Sequence, residues 1–270
     1  MPPAAQRKAV RPIGAARASV PQAVPERPIV RPMASRVRGV SCEIIKPSCT
    51  LVDMRSRYAG PAWPPEEFLV IRDSVPQGTW RELLELIESN ASETAIDTFL
   101  RECPEVLAGA AHFGRVNPHA AWVIPQAAIR PPLSTKQRGL RPDYLVGGYG
   151  SDGISWVVVE IKAPAQLVFA GGVGRGRIRL SSAANAGLCQ LAQYLDFCSA
   201  NQAYLRDFLG TRFFREPTGV LVISRMLEFE KDTSRQALKA ALNRSLSASI
   251  QIRTFDALFA AGASFISTRA

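Results

Sequence analysis

Residues 141–162 read R-P-D-Y-L-V-G-G-Y-G-S-D-G-I-S-W-V-V-V-E-I-K, two apolar runs separated by a glycine-rich stretch, and this segment decides the fold. Strand-forming residues occupy Tyr144 to Val146 and Trp156 to Ile161, with turn chemistry between Gly147 and Gly153, which predicts an antiparallel hairpin. The second run is apolar at odd and even positions alike, as a strand covered on both faces must be. The chain's only P-D and only E-x-K stand at the two ends of this segment, Asp143 and Glu160 lying seventeen residues apart. The midpoint between those two acids falls between Ser151 and Asp152, in the middle of the glycine-rich turn. Facing residues of a hairpin are equidistant from its turn, so Asp143 should lie opposite Glu160. Period-two alternation then places Glu160 and Lys162 on one face and Ile161 on the other.

Outward from the hairpin, the pattern is that of an α/β domain with a mixed sheet. On the N-terminal side, Thr79 and Glu82 form a capping-box pattern ahead of Trp80, Leu83, Leu84, Leu86 and Ile87, and Asn90 with Glu93 form a second. The second predicted helix carries Ile96, Phe99, Leu100 and Cys103 at helical spacing and stops at Pro104. Short strands are expected at Cys42 to Ile45, Phe68 to Ile71 and Trp122 to Ile124. On the C-terminal side, a Gly/Arg-rich segment (Gly171 to Arg179) reads as flexible, and Ser181 or Ser182 can cap a helix through Ala184, Leu188, Leu191, Leu195 and Cys198. Then follow a strand at Val220 to Ser224, a helix from about Thr233 to Leu246, a strand at Ile250 to Arg253 and a closing helix from Asp256.

Composition bounds the alternatives. The 270 residues (29.4 kDa) are 47% hydrophobic and 21% charged, an ordinary globular balance that excludes collagen, coiled coil and mucin-like stalks. No apolar run reaches the ~18 residues needed to cross a bilayer, and the Arg-rich, Pro-broken start lacks a signal-peptide core, so a cytoplasmic protein without membrane partners is expected. Five cysteines without a C-x-x-C pair fit neither a disulfide framework nor a zinc ribbon. Of the net charge of +10, residues 1–40 hold +7, eight basic residues against Glu26 alone, together with seven of the 20 prolines and no apolar periodicity. They read as a disordered basic arm, either a tether for phosphate groups or a solvated linker. Residues 41–78 read as an irregular extension with short strands, and residues 79–270 as the main domain.

The acids and the lysine converge at the end of a strand otherwise built from Trp and Val, where an unpaired charge is costly. Two carboxylates within hydrogen-bond range repel unless a proton or a cation lies between them, and hard oxygen ligands suit Mg²⁺ or Mn²⁺. A lysine beside them can orient an attacking water or stabilise charge growing on a phosphate oxygen. The same residues can also be read as a structural Asp turn beside a Glu–Lys ion pair. Arg175, Arg177 and Arg179 alternate along the following segment and could hold a phosphate backbone, or be solvated. Its glycines lack the lysine of a phosphate loop, no G-x-S-x-G is present, and His112 and His119 stand apart from any nucleophile pattern.

Asp143, Glu160 and Lys162 resemble the PD-(D/E)XK nuclease signature. Beyond them, E-T-A-I-D-T-F-L-R-E-C-P-E-V-L from Glu93, R-P-D-Y-L-V, V-V-V-E-I-K-A-P, Q-L-A-Q-Y from Gln190, G-V-L-V-I-S-R, L-N-R-S-L and I-R-T-F-D-A-L are similar to the Shedu family of anti-phage nucleases, over roughly residues 80 to 262. That resemblance implies a restriction-endonuclease-like core with a mixed sheet flanked by helices. It implies that Asp143 and Glu160 bind Mg²⁺ or Mn²⁺ and that Lys162 serves catalysis. Gln190 and Tyr194, four apart on one helix face, occupy the place where the family's helix closes over the site. Packing and capping explain both as well. Glu93 falls where related nucleases place a further metal-binding acid, although its place in a capping box accounts for it equally. The expected activity is metal-dependent endonucleolytic hydrolysis of nucleic acid, DNA ahead of RNA, in bacterial defence, with room for a homo-oligomer. A non-catalytic nuclease-fold module binding nucleic acid or a protein is the alternative, since a fold does not guarantee its chemistry. A third reading makes the basic arm the active part.

Overall fold

A strand that is apolar on both faces needs cover on both, and Gly153–Ile161 receives it. The computed structural model describes residues 56–70, 75–110, 120–130, 139–150, 153–172, 177–212, 214–230, 232–246 and 249–263, all within the unit Ser48–Ala270. The strands are β1 (Leu69–Val70), β2 (Ala120–Pro125), β3 (Tyr144–Gly150), β4 (Gly153–Ile161), β5 (Phe169–Ala170), β6 (Arg179–Leu180), β7 (Thr218–Val222) and β8 (Ile250–Arg253). The helices are α1 (Gln77–Glu88), α2 (Glu93–Glu102), α3 (Glu105–Ala110), α4 (Ser182–Ala200), α5 (Gln202–Phe208), α6 (Leu227–Glu230), α7 (Thr233–Ser245) and α8 (Phe255–Ala263).

Six strands form one sheet in the order β1-β2-β3-β4-β7-β8, antiparallel from β1 to β4 and parallel from β4 to β8. The fold is therefore α/β with a mixed sheet flanked by helices. Parallel neighbours need crossover connections, and the chain between β4 and β7 contains α4 and α5 while that between β7 and β8 contains α6 and α7. On one face, Ala184, Leu191, Tyr194 and Cys198 of α4 join Trp156, Val158, Leu221 and Ile252 in a buried core. On the other, Leu83 and Ile87 of α1, Ile96 and Leu100 of α2, and Phe255 and Leu258 of α8 cover Val146, Val157, Val159 and Val222. Among the described residues no helix is long and apolar enough to cross a membrane.

The hairpin has the expected register: Tyr144 faces Val159 and Gly150 faces Gly153, so the connection is the two residues 151 and 152. The strands thus reach further than the Gly147 to Gly153 stretch suggests, because Gly147 to Gly150 belong to β3. Gly147 is required there: a Cβ would come within 2.9 Å of the Trp156 ring, which is itself buried. Gly147→Ala should lower the melting temperature by several degrees, since overpacking typically costs about 1–3 kcal/mol. An unchanged melt would show that the ring has room to move. Gly187 lets α4 approach the sheet in the same way, a Cβ there meeting Leu221 at 2.6 Å.

Both expected capping boxes are corrected. Helix α1 starts at Gln77 behind Pro76, whose fixed φ of −64° sets the turn, so Thr79 lies inside the helix. Asn90 does not cap α2. It lies at φ 53° just past the end of α1, its N–H donating to Ile87 O (3.2 Å) and that of Ala91 to Leu86 O (3.0 Å), a Schellman ending. Ser92 is the N-cap of α2, accepting from the Ala95 N–H at 3.2 Å. Glu93 is consequently the first residue of its helix, and no capping role accounts for it. The segment read as flexible is bounded by a small sheet, Phe169–Ala170 pairing with Arg179–Leu180. Helices α3, α5 and α6 have too few turns to leave a periodic signal. Residues 1–40, Cys42 to Ile45, His112 and His119 lie outside the described residues. Of the extension, Tyr58 and Trp63 pack on Trp122 and Tyr149, and β1 pairs with β2.

Candidate active site

The hairpin ladder stops at Tyr144 and Val159, and Asp143 and Glu160 are the next residues on the two sides. Both ends are held by their neighbours. Gln126 N–H donates to Asp143 O at 2.8 Å, and Lys162 N–H donates to Val222 O at 2.9 Å. Alternation along β4 puts Glu160 on the face of Trp156 and Val158, the face covered by α4.

Glu160 is only 3% exposed. Its Oε1 accepts a hydrogen bond from Lys162 Nζ at 2.9 Å, while its buried Oε2 has no partner. Asp143 Oδ2 accepts from the Ile161 N–H at 2.7 Å. Burial first, and then the charge of Asp143, push the Glu160 carboxyl up from its ordinary 4.5 to about 7. Burial also raises Asp143, although the Ile161 N–H and the charge of Lys162 pull it the other way. Lys162 is 13% exposed; burial alone would lower its ammonium, but the Glu160 hydrogen bond and the charges of Glu160, Glu93 and Asp143 hold it above its ordinary value. A lysine kept charged between acids that resist ionisation is an arrangement that stability alone does not favour.

Glu93 reaches the same lysine, its Oε1 lying 3.9 Å from Lys162 Nζ with its side chain 46% exposed. Helix α2 is fixed for this by a contact that sequence patterns do not reveal: the buried Tyr144 hydroxyl donates to Asp97 Oδ1 at 2.7 Å. Burial, then the Asp97 contact, raise that phenol strongly. From the other side, α4 brings Tyr194 and Gln190. The Tyr194 hydroxyl donates to Arg141 O at 3.1 Å, its ring is buried, and burial followed by the charges of Glu160 and Asp143 drive its pKa up while a hydrogen bond with Gln190 acts against them. The structure thus gathers Asp143, Glu160, Lys162, Glu93, Tyr194 and Gln190. Of the three arginines, Arg177 and Arg179 are exposed, and Arg175 lies outside the described residues.

The donor set can be tested for a metal on its own chemistry. Among the described residues, no three His, Cys, Asp or Glu side chains come together as a metal-binding group. Glu93 makes its contact with Lys162, and the buried pair beside that lysine is Asp143 and Glu160. A pair of carboxylates suits Mg²⁺, which typically uses one or two and completes its shell with water and phosphate. The orphaned, buried Oε2 of Glu160 is the specific observation that fits, because a cation would satisfy it.

Comparison with known proteins bears on the whole arrangement. No curated protein matches the chain. Residues 90–259 match the family model described as Shedu protein SduA, C-terminal. The match takes in both ends of the hairpin and α4, and so every residue of the gathered cluster. Covering well over half of the sequence, it shows that the chain belongs to the Shedu family of anti-phage defence proteins through the SduA C-terminal region.

Proposed function

We propose that the chain is a metal-dependent nuclease that hydrolyses phosphodiester bonds, an endonuclease of bacterial anti-phage defence acting in the cytoplasm on a PD-(D/E)XK core. The observation that carries this reading is the buried Glu160 carboxylate, opposite Asp143, with one oxygen on Lys162 and the other without a partner. Asp143 and Glu160 would hold Mg²⁺ or Mn²⁺, which when bound neutralises phosphate charge and lowers the pKa of a coordinated water.

The remaining residues have separate tasks. Water attacks phosphorus in line and releases a proton to solvent, the opposite P–O bond breaks, and the departing oxygen takes up a proton from solvent. Lys162 stabilises the charge that builds on the phosphate oxygens, and Glu93 helps to keep it protonated. Tyr194 and Gln190 close the site from α4 and limit its access to bulk water. Arg177 and Arg179 would contact the phosphate backbone without reading sequence.

Incubation with supercoiled plasmid, linear duplex, single-stranded DNA and RNA tests the proposal, each substrate with Mg²⁺, Mn²⁺ or EDTA. Plasmid should be nicked or linearised with either metal, with RNA cut less, and EDTA should abolish cleavage. Intact substrates in every metal-containing arm, with a folded protein, would overturn it.

A further inference from the structure

Among the described residues, the best-connected buried charge outside the carboxylate cluster is Glu228, the second residue of α6. Its side chain is 1% exposed. One oxygen accepts from the Val168 N–H (2.8 Å) and the Ser224 hydroxyl (2.6 Å), the other from the Phe169 N–H (2.9 Å) and Arg235 Nη1 (3.1 Å). Four donors, one of them a guanidinium, satisfy a carboxylate in full. Such a group can lock whatever carries those donors.

What they carry leads to the site. Val168 and Phe169 lie six and seven residues beyond Lys162, on the connection from β4 to α4. Val168 O accepts from the Ser181 N–H at 2.9 Å, and Ser181 Oγ donates to Leu167 O at 2.6 Å. Ser181 is also the N-cap of α4, its Oγ accepting from the Ala184 N–H at 3.0 Å. Arg235 holds a further point of the same connection, Nη2 donating to Gly171 O at 2.6 Å. An unbroken chain of bonds therefore runs from Glu228 through residues 167–169 and Ser181 to the helix that bears Gln190 and Tyr194.

We propose that Glu228, braced by Arg235, is a positioning residue for the cleavage reaction: it holds residues 167–171 against the N-terminus of α4, and thereby sets Gln190 and Tyr194 over Asp143 and Glu160. This rests on the nuclease reading above. Glutamine is the informative replacement, because its amide nitrogen cannot accept the backbone N–H that one carboxylate oxygen accepts, while its size is unchanged.

The test compares wild type, Glu228→Gln, Gln190→Ala and the double variant on the plasmid substrate with Mg²⁺, below every melting temperature. Glu228→Gln should lower kcat roughly 10- to 100-fold with KM nearly unchanged, the range for loss of an outer support or a small misplacement of catalytic groups. Gln190→Ala should cost far less in the Glu228→Gln background than in wild type, because Gln190 is already displaced there. Full kcat in folded Glu228→Gln, or two effects that simply multiply, would overturn the positioning role. A wild type that cleaves nothing would instead defeat the nuclease reading itself. If Glu228→Gln does not fold, Ser224→Ala removes one donor and leaves both backbone bonds; a several-fold loss of kcat is then expected, and unchanged kcat overturns the inference.

Discussion

Glu160→Gln should leave the protein unable to cut plasmid yet more stable than wild type in EDTA at pH 8. Burial, followed by the charge of Asp143, holds the Glu160 carboxyl at about 7 in the folded chain, against an ordinary 4.5. Between those values the native state keeps a proton that the unfolded chain has released. The contribution of Glu160 to stability is therefore complete below about pH 4.5 and is lost as the pH rises through about 7. The loss amounts to about 3 kcal/mol at 1.36 kcal/mol per pH unit. Glutamine cannot ionise, so the variant avoids that loss while keeping an oxygen for Lys162 Nζ. Metal-free melts at pH 8 should place it about 5–10 °C above wild type, and near pH 4.5 the two should almost coincide. Mg²⁺ should narrow the gap at pH 8 by binding only the wild-type pair. Coincident melts at all pH values would mean that Glu160 is solvated and ionised like any surface acid, and the metal-binding role would lose its support.

Lys162→Met should reduce cleavage by about 10²- to 10⁴-fold, the usual range for removal of a catalytic proton donor or charge stabiliser. Affinity for nucleic acid should hardly move. One ammonium, 13% exposed and already paired with Glu160, adds at most about one phosphate contact to a diffuse interface. Filter binding across a salt series measures this directly, the slope changing by no more than about one ion. Methionine retains the apolar stem and so avoids a cavity, but it leaves Glu160 buried without its cation, and the variant should melt below wild type at pH 8. Cleavage at the wild-type rate by folded Lys162→Met would remove the lysine from the mechanism.

Both variants bear on a site whose central geometry is legible in the sequence, because it is local. Asp143 immediately precedes one strand of a hairpin and Glu160 lies in the other, and a short connection with strict alternation fixes which residues face each other. The same locality makes α4 and α7 readable: Ser181 caps the first, Asp232 caps the second, and each runs long enough to repeat its apolar spacing. Where local signals are degenerate, the sequence misleads. Asn is favoured both as an N-cap and in the left-handed conformation past a helix end. Asn90 takes the second role, which puts Glu93 at the first position of α2, within reach of Lys162.

Sequence alone settled the hairpin, its register and the acid-lysine cluster at its end, since each follows from residues within about twenty positions of one another, and the order of helical and strand patterns along the chain settled the α/β class. Tertiary structure alone decided the rest. The parallel pairing of β4 with β7 joins residues 61 positions apart and that of β7 with β8 residues 31 apart, and nothing in an apolar strand names its neighbour. Tyr144 binds Asp97 across 47 positions, which sets the helix carrying Glu93. Glu228 meets Val168 across 60 positions, and in a short helix reading L-E-F-E it looks like any solvated acid. A buried polar group is legible only through its partners, and the folded chain chooses those.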